Sequence, residues 1–250
     1  MGTEVPATDE VRTPPSVVPL AGVLGTLVVS NVVANRMLPD WLYVPWNCAV
    51  AAGVVGMAVK WDDQSLATLG MSRTRVAQGL RLGLTVSGVI VVGCGIAFVM
   101  PATRDLFIDD RTDLSAAGIA YKVLVEVPLG TVLLEEVAFR GVLPAMFRRR
   151  VAAGPRAGFT ADSIAAGLFG LWHILPSWNM NEANSLFRDT LPEELGRATA
   201  IVGGVVVTAV AGMGLSWLRN RSDSVVAPAV VHSTANSVAS VFSWLARRIG

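Results

Sequence analysis

Two adjacent carboxylates and one arginine lie inside an otherwise apolar stretch, residues 133–141. Glu136 and Arg140 are four residues apart, so on a helix they share a face and can form an ion pair. Glu135 is turned about 100° away from that pair around the helix axis. Ionisable groups at membrane depth are expensive and mark either function or a buried pair. We therefore expect Glu135 to find its partner on another helix.

The chain has two histidines, and both lie in apolar segments. Phe169 lies four residues before His173, on the same helix face, and can wall one side of a site. Asn236 lies four residues after His232, so an imidazole and an amide project from one face of another helix. One carboxylate, two imidazoles and an amide on three helices predict a polar site inside an apolar bundle.

These residue types are suited to activating water. A carboxylate can act as a general base, and a neighbouring histidine can position the water or share its proton. An imidazole and a carboxamide can donate hydrogen bonds to a developing oxyanion. Glu135, His173 and His232 would equally suit a catalytic zinc ion with an open position, and the residues alone do not choose between these mechanisms. No H-E-x-x-H or G-x-S-x-G motif is present, which argues against a conventional metalloprotease and a serine hydrolase.

The composition predicts a membrane protein. With 52% hydrophobic residues, 16% charged residues and a mean hydropathy of +0.54, the chain is too apolar for an ordinary soluble domain. A seventh apolar segment, 116–147, carries the carboxylates, and six others contain no Asp, Glu, Lys or Arg: 17–35, 41–59, 82–100, 163–178, 198–218 and 224–246. Most reach the roughly 20 residues needed to cross hydrocarbon. We predict an all-α polytopic transmembrane helical bundle with about seven spans.

The remaining features define the expected organisation. Residues 1–16 are acidic and contain proline, which predicts a flexible N-terminal tail, and residues 17–250 are expected to form a single transmembrane domain.

Cys48 and Cys94 lie in different apolar segments, so no disulfide framework is expected. A net charge of +1 argues against a nucleic-acid partner. Tryptophans near span ends, such as Trp178 and Trp244, are interpreted as interfacial residues.

The distribution of positive charge predicts the orientation. A cytoplasmic N-terminus places eleven cations inside: Arg12, Lys60, Arg73, Arg75, Arg81, Arg148, Arg149, Arg150, Arg156, Arg219 and Arg221. It places seven outside: Arg36, Arg104, Arg111, Arg188, Arg197, Arg247 and Arg248. The positive-inside rule favours this orientation. With 18 Arg against 2 Lys and abundant Ala, Val and Gly, the composition is typical of a high-GC bacterial genome, so we expect a bacterial plasma membrane.

Three motifs in the same order resemble those of the CPBP family of intramembrane proteases, which includes type II CAAX prenyl endopeptidases and bacteriocin-processing or immunity proteins. The family motif E-E-x-x-x-R matches Glu135, Glu136 and Arg140; F-x-x-x-H matches Phe169 and His173; H-x-x-x-N matches His232 and Asn236. The resemblance implies a catalytic core at about 116–246. Because the family core commonly has eight spans, an eighth, re-entrant segment is an open alternative to seven.

The resemblance also implies residue roles. Glu135 would activate the water with help from His173, and His232 and Asn236 would stabilise the oxyanion. Glu136, Arg140 and Phe169 would support the geometry of the site. Family members have been described as metalloproteases and as glutamate-dependent enzymes; we favour the metal-independent glutamate mechanism, with Zn²⁺ on Glu135, His173 and His232 as the alternative.

The predicted function is an intramembrane endopeptidase that cleaves a membrane-associated protein or peptide. A prenylated CAAX substrate is less expected in a bacterium than a membrane-anchored peptide or regulatory membrane protein. Two rivals come from other classes. One is a non-catalytic bacteriocin-immunity or scaffolding protein that retains the fold. The other is a small transporter with a Glu and His proton relay, which would be expected to carry an internal repeat.

Overall fold

The structure is a computed structural model that describes residues 15–104, 107–178, 180 and 192–249. This part of the chain forms helices and no strand, which confirms the predicted all-α class. The long helices are α1 (Val18–Arg36), α2 (Asp40–Trp61), α3 (Val76–Val99), α4 (Ala116–Arg148), α5 (Ala157–Trp172), α6 (Glu193–Ser222) and α7 (Val226–Ile249). Most of the predicted N-terminal tail, residues 1–14, and two of the counted cations, Arg12 and Arg188, lie outside the described residues.

Within the described residues, five helical segments are long and apolar enough to cross a membrane: α1, α2, α4, α6 and Arg73–Val99, which contains α3. The other two predicted spans differ for separate reasons. Helix α5 has 16 residues, which at 1.5 Å per residue reach only about 24 Å. Helix α7 has 24 residues, but serines, His232 and Asn236 dilute its apolar character. The structure therefore does not confirm a count of seven.

Helix α4 changes its winding around the paired glutamates. The segments Lys122–Val132 and Val137–Val142 adopt the wide π-helical turn, and they flank one α-helical turn, Leu133–Glu136. Pro128 lies in the first wide segment and supplies no backbone N–H there. Short π-helical insertions occur frequently at functional sites because they reorient side chains relative to a regular helix.

The helices pack around the centre of α4. One apolar core joins α1, α2, α4 and α5 through buried side chains such as Val23, Val54, Leu134 and Phe169. Helix α7 packs along α3, and α6 packs along α5. A smaller cluster joins α6 to α7 through Leu218 and neighbouring residues. This packing brings the middle of α4, the end of α5 and the first half of α7 together.

Contacts between the loops divide the helix ends between two faces. On one face, Asp62 after α2 forms ion pairs with Arg149 and Arg150 after α4. Arg219, in the last turn of α6, donates to the carbonyl of Thr68 at 2.6 Å. On the other face, the loop before α4 is held against the end of α7. There Ser243 contacts Thr112 at 2.6 Å and Trp244 donates to the carbonyl of Leu114 at 2.9 Å.

Candidate functional site

The predicted pair on α4 forms in the structure. The Nε atom of Arg140 lies 3.4 Å from Oε2 of Glu136, and both side chains are 1% exposed. The guanidinium carbon of Arg140 lies 3.9 Å from the centre of the Phe169 ring. An arginine over an aromatic face gains electrostatic attraction that increases when water is excluded. Glu136 and Phe169 therefore stabilise a fully buried cation from two sides.

Glu135 finds its partners on other helices, as its position on α4 predicted. Its Oε1 atom accepts a hydrogen bond from the indole Nε1 of Trp172, at the end of α5, at 3.0 Å. Its Oε2 atom lies 3.7 Å from Nε2 of His232 on α7 and is buried without a hydrogen-bond partner among the described residues. One carboxylate oxygen is thus held, and the other is left to face an imidazole.

His232 connects the two carboxylates. Its Nδ1 atom lies 2.8 Å from Oε1 of Glu136, and because a carboxylate only accepts, Nδ1 carries the proton and donates it. Its Nε2 atom faces Glu135. The contact with Glu136 therefore keeps a proton on Nδ1 and fixes the orientation of the ring. A carboxylate beside a functional histidine commonly has this effect.

His173 is placed by the end of its own helix. It is the residue that follows the last turn of α5, and its Nδ1 atom lies 2.8 Å from the carbonyl oxygen of Phe169. That carbonyl is one of those left without an intrahelical partner at a helix C-terminus. Since a carbonyl only accepts, Nδ1 donates and Nε2 remains as the free acceptor. The Phe169 ring packs edge-on against His173, at 4.6 Å between centroids, and against His232, at 6.0 Å.

These side chains line one cavity of about 770 Å³. Glu135, His173, His232 and Asn236 all contribute to its wall, together with apolar residues of α6 and α7. Ligand sites of this size are usually apolar with a few polar groups that fix orientation. The cavity thus brings together the four residues predicted to act in chemistry, while Glu136 and Arg140 lie behind them in the core.

The alternative zinc set was tested against this arrangement. Among the described residues, no three His, Cys, Asp or Glu side chains are grouped closely enough to hold a metal ion. His232 approaches Glu135, but the Phe169 ring lies edge-on to both imidazoles, and His173 is held by its own helix end. As placed here, Glu135, His173 and His232 do not fit one zinc ion.

A second, more polar cavity of about 520 Å³ adjoins the first and shares Arg111, Thr131 and Asn236 with it. In the loop before α4, Arg111 forms a bidentate ion pair with Asp109, with Nε 3.0 Å from Oδ1 and Nη2 2.5 Å from Oδ2. Burial alone would raise the pKa of Asp109, but the hydrogen bonds and charge of Arg111 outweigh it and hold that pKa below its ordinary value. The same hydrogen bonds raise the pKa of Arg111.

Sequence reasoning missed Trp172 and Asn31. Trp172 donates to Glu135, and its carbonyl accepts from the side chain of Asn31 on α1 at 3.0 Å. A signal was available for the tryptophan, because a buried indole N–H almost always needs an acceptor and Trp172 precedes His173 directly. No comparable signal identified Asn31, since its contact depends on how α1 packs against α5.

One family model covers the part of the chain that contains this site. The model of the family described as type II CAAX prenyl endopeptidase Rce1-like matches residues 118–238, a stretch that contains every predicted site residue. Searches of curated proteins and of solved structures gave no match. The family supports a protease-type enzyme embedded in a membrane, and the apolar helices agree with that placement. The match over residues 118–238 supports membership of the CPBP family, to which the type II CAAX prenyl endopeptidases belong.

Proposed function

We propose that this protein is an intramembrane endopeptidase that hydrolyses a peptide bond of a membrane-associated protein or peptide. The observation that carries the proposal is the state of Glu135. This carboxylate is 5% exposed and lines a cavity of about 770 Å³; one of its oxygens accepts from an indole N–H, and the other lies 3.7 Å from Nε2 of His232. A buried carboxylate with one unsatisfied oxygen beside a substrate-sized cavity is suited to accept a proton from water.

The proposed reaction uses the cavity residues in two steps. In the first, the carboxylate of Glu135 takes a proton from a water molecule that His173 helps to position, and the resulting hydroxide adds to the carbonyl carbon of the substrate. In the second, the C–N bond breaks, and the protonated Glu135 returns the proton to the leaving amine. The products are a carboxylic acid and an amine, and Glu135 is again a carboxylate.

The oxyanion that forms between these steps needs hydrogen-bond donors. His232 and Asn236 lie one helical turn apart on α7, and both line the cavity. Donors that are already oriented in a water-poor site stabilise developing negative charge without reorganisation. In the proposal, Nδ1–H of His232 donates to Glu136, so the ring needs a second proton, on Nε2, to donate to the oxyanion; Arg140 and Phe169 keep Glu136 in place.

The metal-independent mechanism is part of the proposal, and a chelator tests it. Because Glu135, His173 and His232 are not gathered around one point, no step above is assigned to a metal. Activity should survive dialysis against a strong chelator. A loss of activity that added Zn²⁺ restores would instead assign the water activation to a bound metal and contradict this mechanism.

The experiment that tests the function compares membranes carrying wild-type protein, Glu135→Ala and Glu126→Ala. Glu126 is a matched control, because it is a carboxylate on the same helix that pairs with Lys122 at 3.0 Å and lines the second cavity. Peptide termini are followed by quantitative mass spectrometry, and an internally quenched farnesylated CAAX peptide is added as a defined probe. We expect product termini with wild type and Glu126→Ala, and a loss of about 10²- to 10⁴-fold with Glu135→Ala.

Each outcome separates the candidate functions. Cleavage of the farnesylated probe would assign the CAAX substrate class; cleavage of membrane proteins alone would favour the membrane-anchored substrates that we expect in a bacterium. Identical proteomes from wild type and a folded Glu135→Ala, with the biological phenotype intact, would contradict the protease and leave the immunity or scaffolding protein. Uptake driven by a pH gradient would point to the transporter.

The domain organisation, the membrane and the topology are also part of the proposal. We propose that residues 17–250 form one transmembrane domain, with the catalytic unit at about 116–246, in a bacterial plasma membrane. In this proposal the N-terminus is cytoplasmic and seven helices cross the bilayer. The alternating contacts between helix ends support this topology.

A further inference from the structure

The indole of Trp172 makes the one hydrogen bond that Glu135 receives within the described residues. Nε1 of Trp172 donates to Oε1 of the carboxylate at 3.0 Å. Oε2 receives no hydrogen bond from these residues and lies 3.7 Å from Nε2 of His232. The two oxygens of one carboxylate therefore have different environments, and the difference is created by a single N–H group.

Trp172 is itself held on two sides. Its carbonyl oxygen accepts a hydrogen bond from Nδ2 of Asn31 at 3.0 Å, and its ring packs edge-on against Phe139 at 5.6 Å between centroids. Asn31 is buried, and Asn35, one turn later on α1, donates to its Oδ1 at 2.8 Å. A continuous series of hydrogen bonds thus runs from α1 through the end of α5 to Glu135.

The consequence for chemistry is geometric. A glutamate side chain has three rotatable bonds, and a base must lie within hydrogen-bond reach of the proton that it abstracts. A donor on Oε1 removes the rotation that would exchange the two oxygens. It keeps Oε2 directed at His232.

We infer that Trp172 is a positioning residue that holds Glu135 in its reactive orientation through the indole N–H. The inference rests on the proposed hydrolysis, because it assigns Trp172 a part in that reaction. Trp172 itself exchanges no proton with the substrate. The alternative is that the indole N–H only needs an acceptor, as buried indoles do. In that case, losing the hydrogen bond would change only the stability of the fold.

Two substitutions at one position separate these readings. Trp172→Phe keeps an aromatic ring against Phe139 and removes the N–H. Replacement of Trp172 by 3-benzothienylalanine, incorporated by codon reassignment, keeps the shape of the indole and replaces only the N–H by sulfur. The matched control is Trp244→Phe, which removes an indole hydrogen bond of similar length, 2.9 Å to the carbonyl of Leu114, far from the cavity.

The rate of product formation is measured with the substrate that the wild type cleaves in the experiment above. We expect both Trp172 substitutions to slow cleavage about 10- to 100-fold, the range for losing a hydrogen bond to a charged group. Trp244→Phe should keep the wild-type rate even if it melts at a lower temperature. Equal rates for the wild type and both folded Trp172 variants would overturn the inference and leave the proposed function standing.

A second measurement tests the contact without any substrate. The protein is labelled with ¹⁵N-tryptophan, and the indole resonance of Trp172 is identified by its absence from Trp172→Phe. Glu135→Ala should shift this resonance strongly, and Glu126→Ala should leave it in place. If the chemical shift of the Trp172 indole is the same in Glu135→Ala as in the wild type, the inference is contradicted, whatever the cleavage rates. If the wild type and Glu135→Ala give the same cleavage products, the proposed function is wrong, and Trp172 then has no role in that reaction.

Discussion

Glu135 and Glu136 are neighbours in the chain and both are buried, but the structure gives them different surroundings. Glu136 contacts the cation of Arg140 and the Nδ1–H of His232, so its charge is balanced within the core. Glu135 contacts an indole, a more distant imidazole and a cavity. Removing one partner of a buried ion pair destabilises a fold, whereas a buried carboxylate that lines a cavity is a candidate for chemistry.

This contrast predicts the effect of neutralising each carboxylate. Glu136→Gln removes the carboxylate that pairs with the buried guanidinium of Arg140, and breaking a buried pair costs about 3–5 kcal/mol. The matched control is Glu126→Gln, because Glu126 and Lys122 have the same spacing but are 35% and 26% exposed. It should cost less than about 1 kcal/mol. Thermal unfolding in detergent compares the two, and equal melting temperatures would contradict the structural role of Glu136.

The same residues show what sequence could predict at this scale. The Glu136–Arg140 pair was predictable, because both residues belong to one helix and the spacing fixes their relative direction. The contact of His232 with Glu136 was not, because it depends on the rotation and depth of α7 against α4. Trp172 was missed for a related reason. The usual reading of membrane tryptophans places them at interfaces, whereas this one lies where three helices meet.

At the scale of elements, the distance between α5 and α6 is set by glycine. A Cβ atom on Gly170 would lie 2.6 Å from the carbonyl oxygen of Val205 and 3.0 Å from Cβ of Ala209. Small residues allow membrane helices to approach this closely. Because His173 follows Gly170 by three residues, the approach of the two helices also sets the position of the imidazole.

We therefore expect Gly170→Ala to destabilise the fold and Gly167→Ala to be neutral. Overpacking a well-packed contact costs about 1–3 kcal/mol. Gly167 lies on the same helix, and a Cβ there would meet no atom within 4 Å. Melting temperature and cleavage rate are measured for both variants. If Gly170→Ala were as stable and active as Gly167→Ala, the close packing of α5 on α6 would be wrong.

The loop before α4 makes a prediction about pH. Arg111 holds the pKa of Asp109 below its ordinary value of 3.8, so the carboxylate adds stability at neutral pH that is lost as pH falls through the lowered pKa. Because Arg111 is 53% exposed, the gain is below about 1 kcal/mol. The wild type should melt slightly above Asp109→Asn at pH 7, and the gap should close toward pH 3. A gap that widened in acid would contradict this sign, and Asp63→Asn, on the opposite face, serves as the control.

Element types were more predictable than their details. The apolar segments predicted all seven long helices, because length and hydropathy are properties of each segment alone. The two wide-turn segments of α4 were not predictable from spacing. They flank the glutamates, and Pro128 lies in the first of them, but no periodicity in the sequence records their i→i+5 hydrogen bonds.

At the scale of the whole molecule, the helix ends alternate between two faces. Asp62 after α2 meets Arg150 after α4, and Arg148 reaches Asn220 near the end of α6 at 3.0 Å. On the other face, Arg36, the last residue of α1, stacks at 5.5 Å on Trp178, beyond α5. The first face carries most of the arginines that the positive-inside rule assigned to the cytoplasm. The proposed seven crossings rest on this alternation, with α5 short and α7 partly polar.

Membrane crossing by α5 and by α7 can be tested by labelling single cysteines, introduced into a cysteine-free protein, in intact cells. Helix α5 is bracketed by Ala153→Cys and Trp178→Cys, and α7 by Asp223→Cys and Arg248→Cys; all four positions are exposed. With a cytoplasmic N-terminus and seven crossings, an impermeant maleimide should label positions 178 and 248 directly and positions 153 and 223 only after permeabilisation, because each pair is separated by the bilayer. The reverse pattern would invert the orientation. If both positions of a pair are labelled from the same side of the membrane, the helix between them does not cross the bilayer. For α7, this result would place His232 and Asn236 on a segment that lies against the membrane.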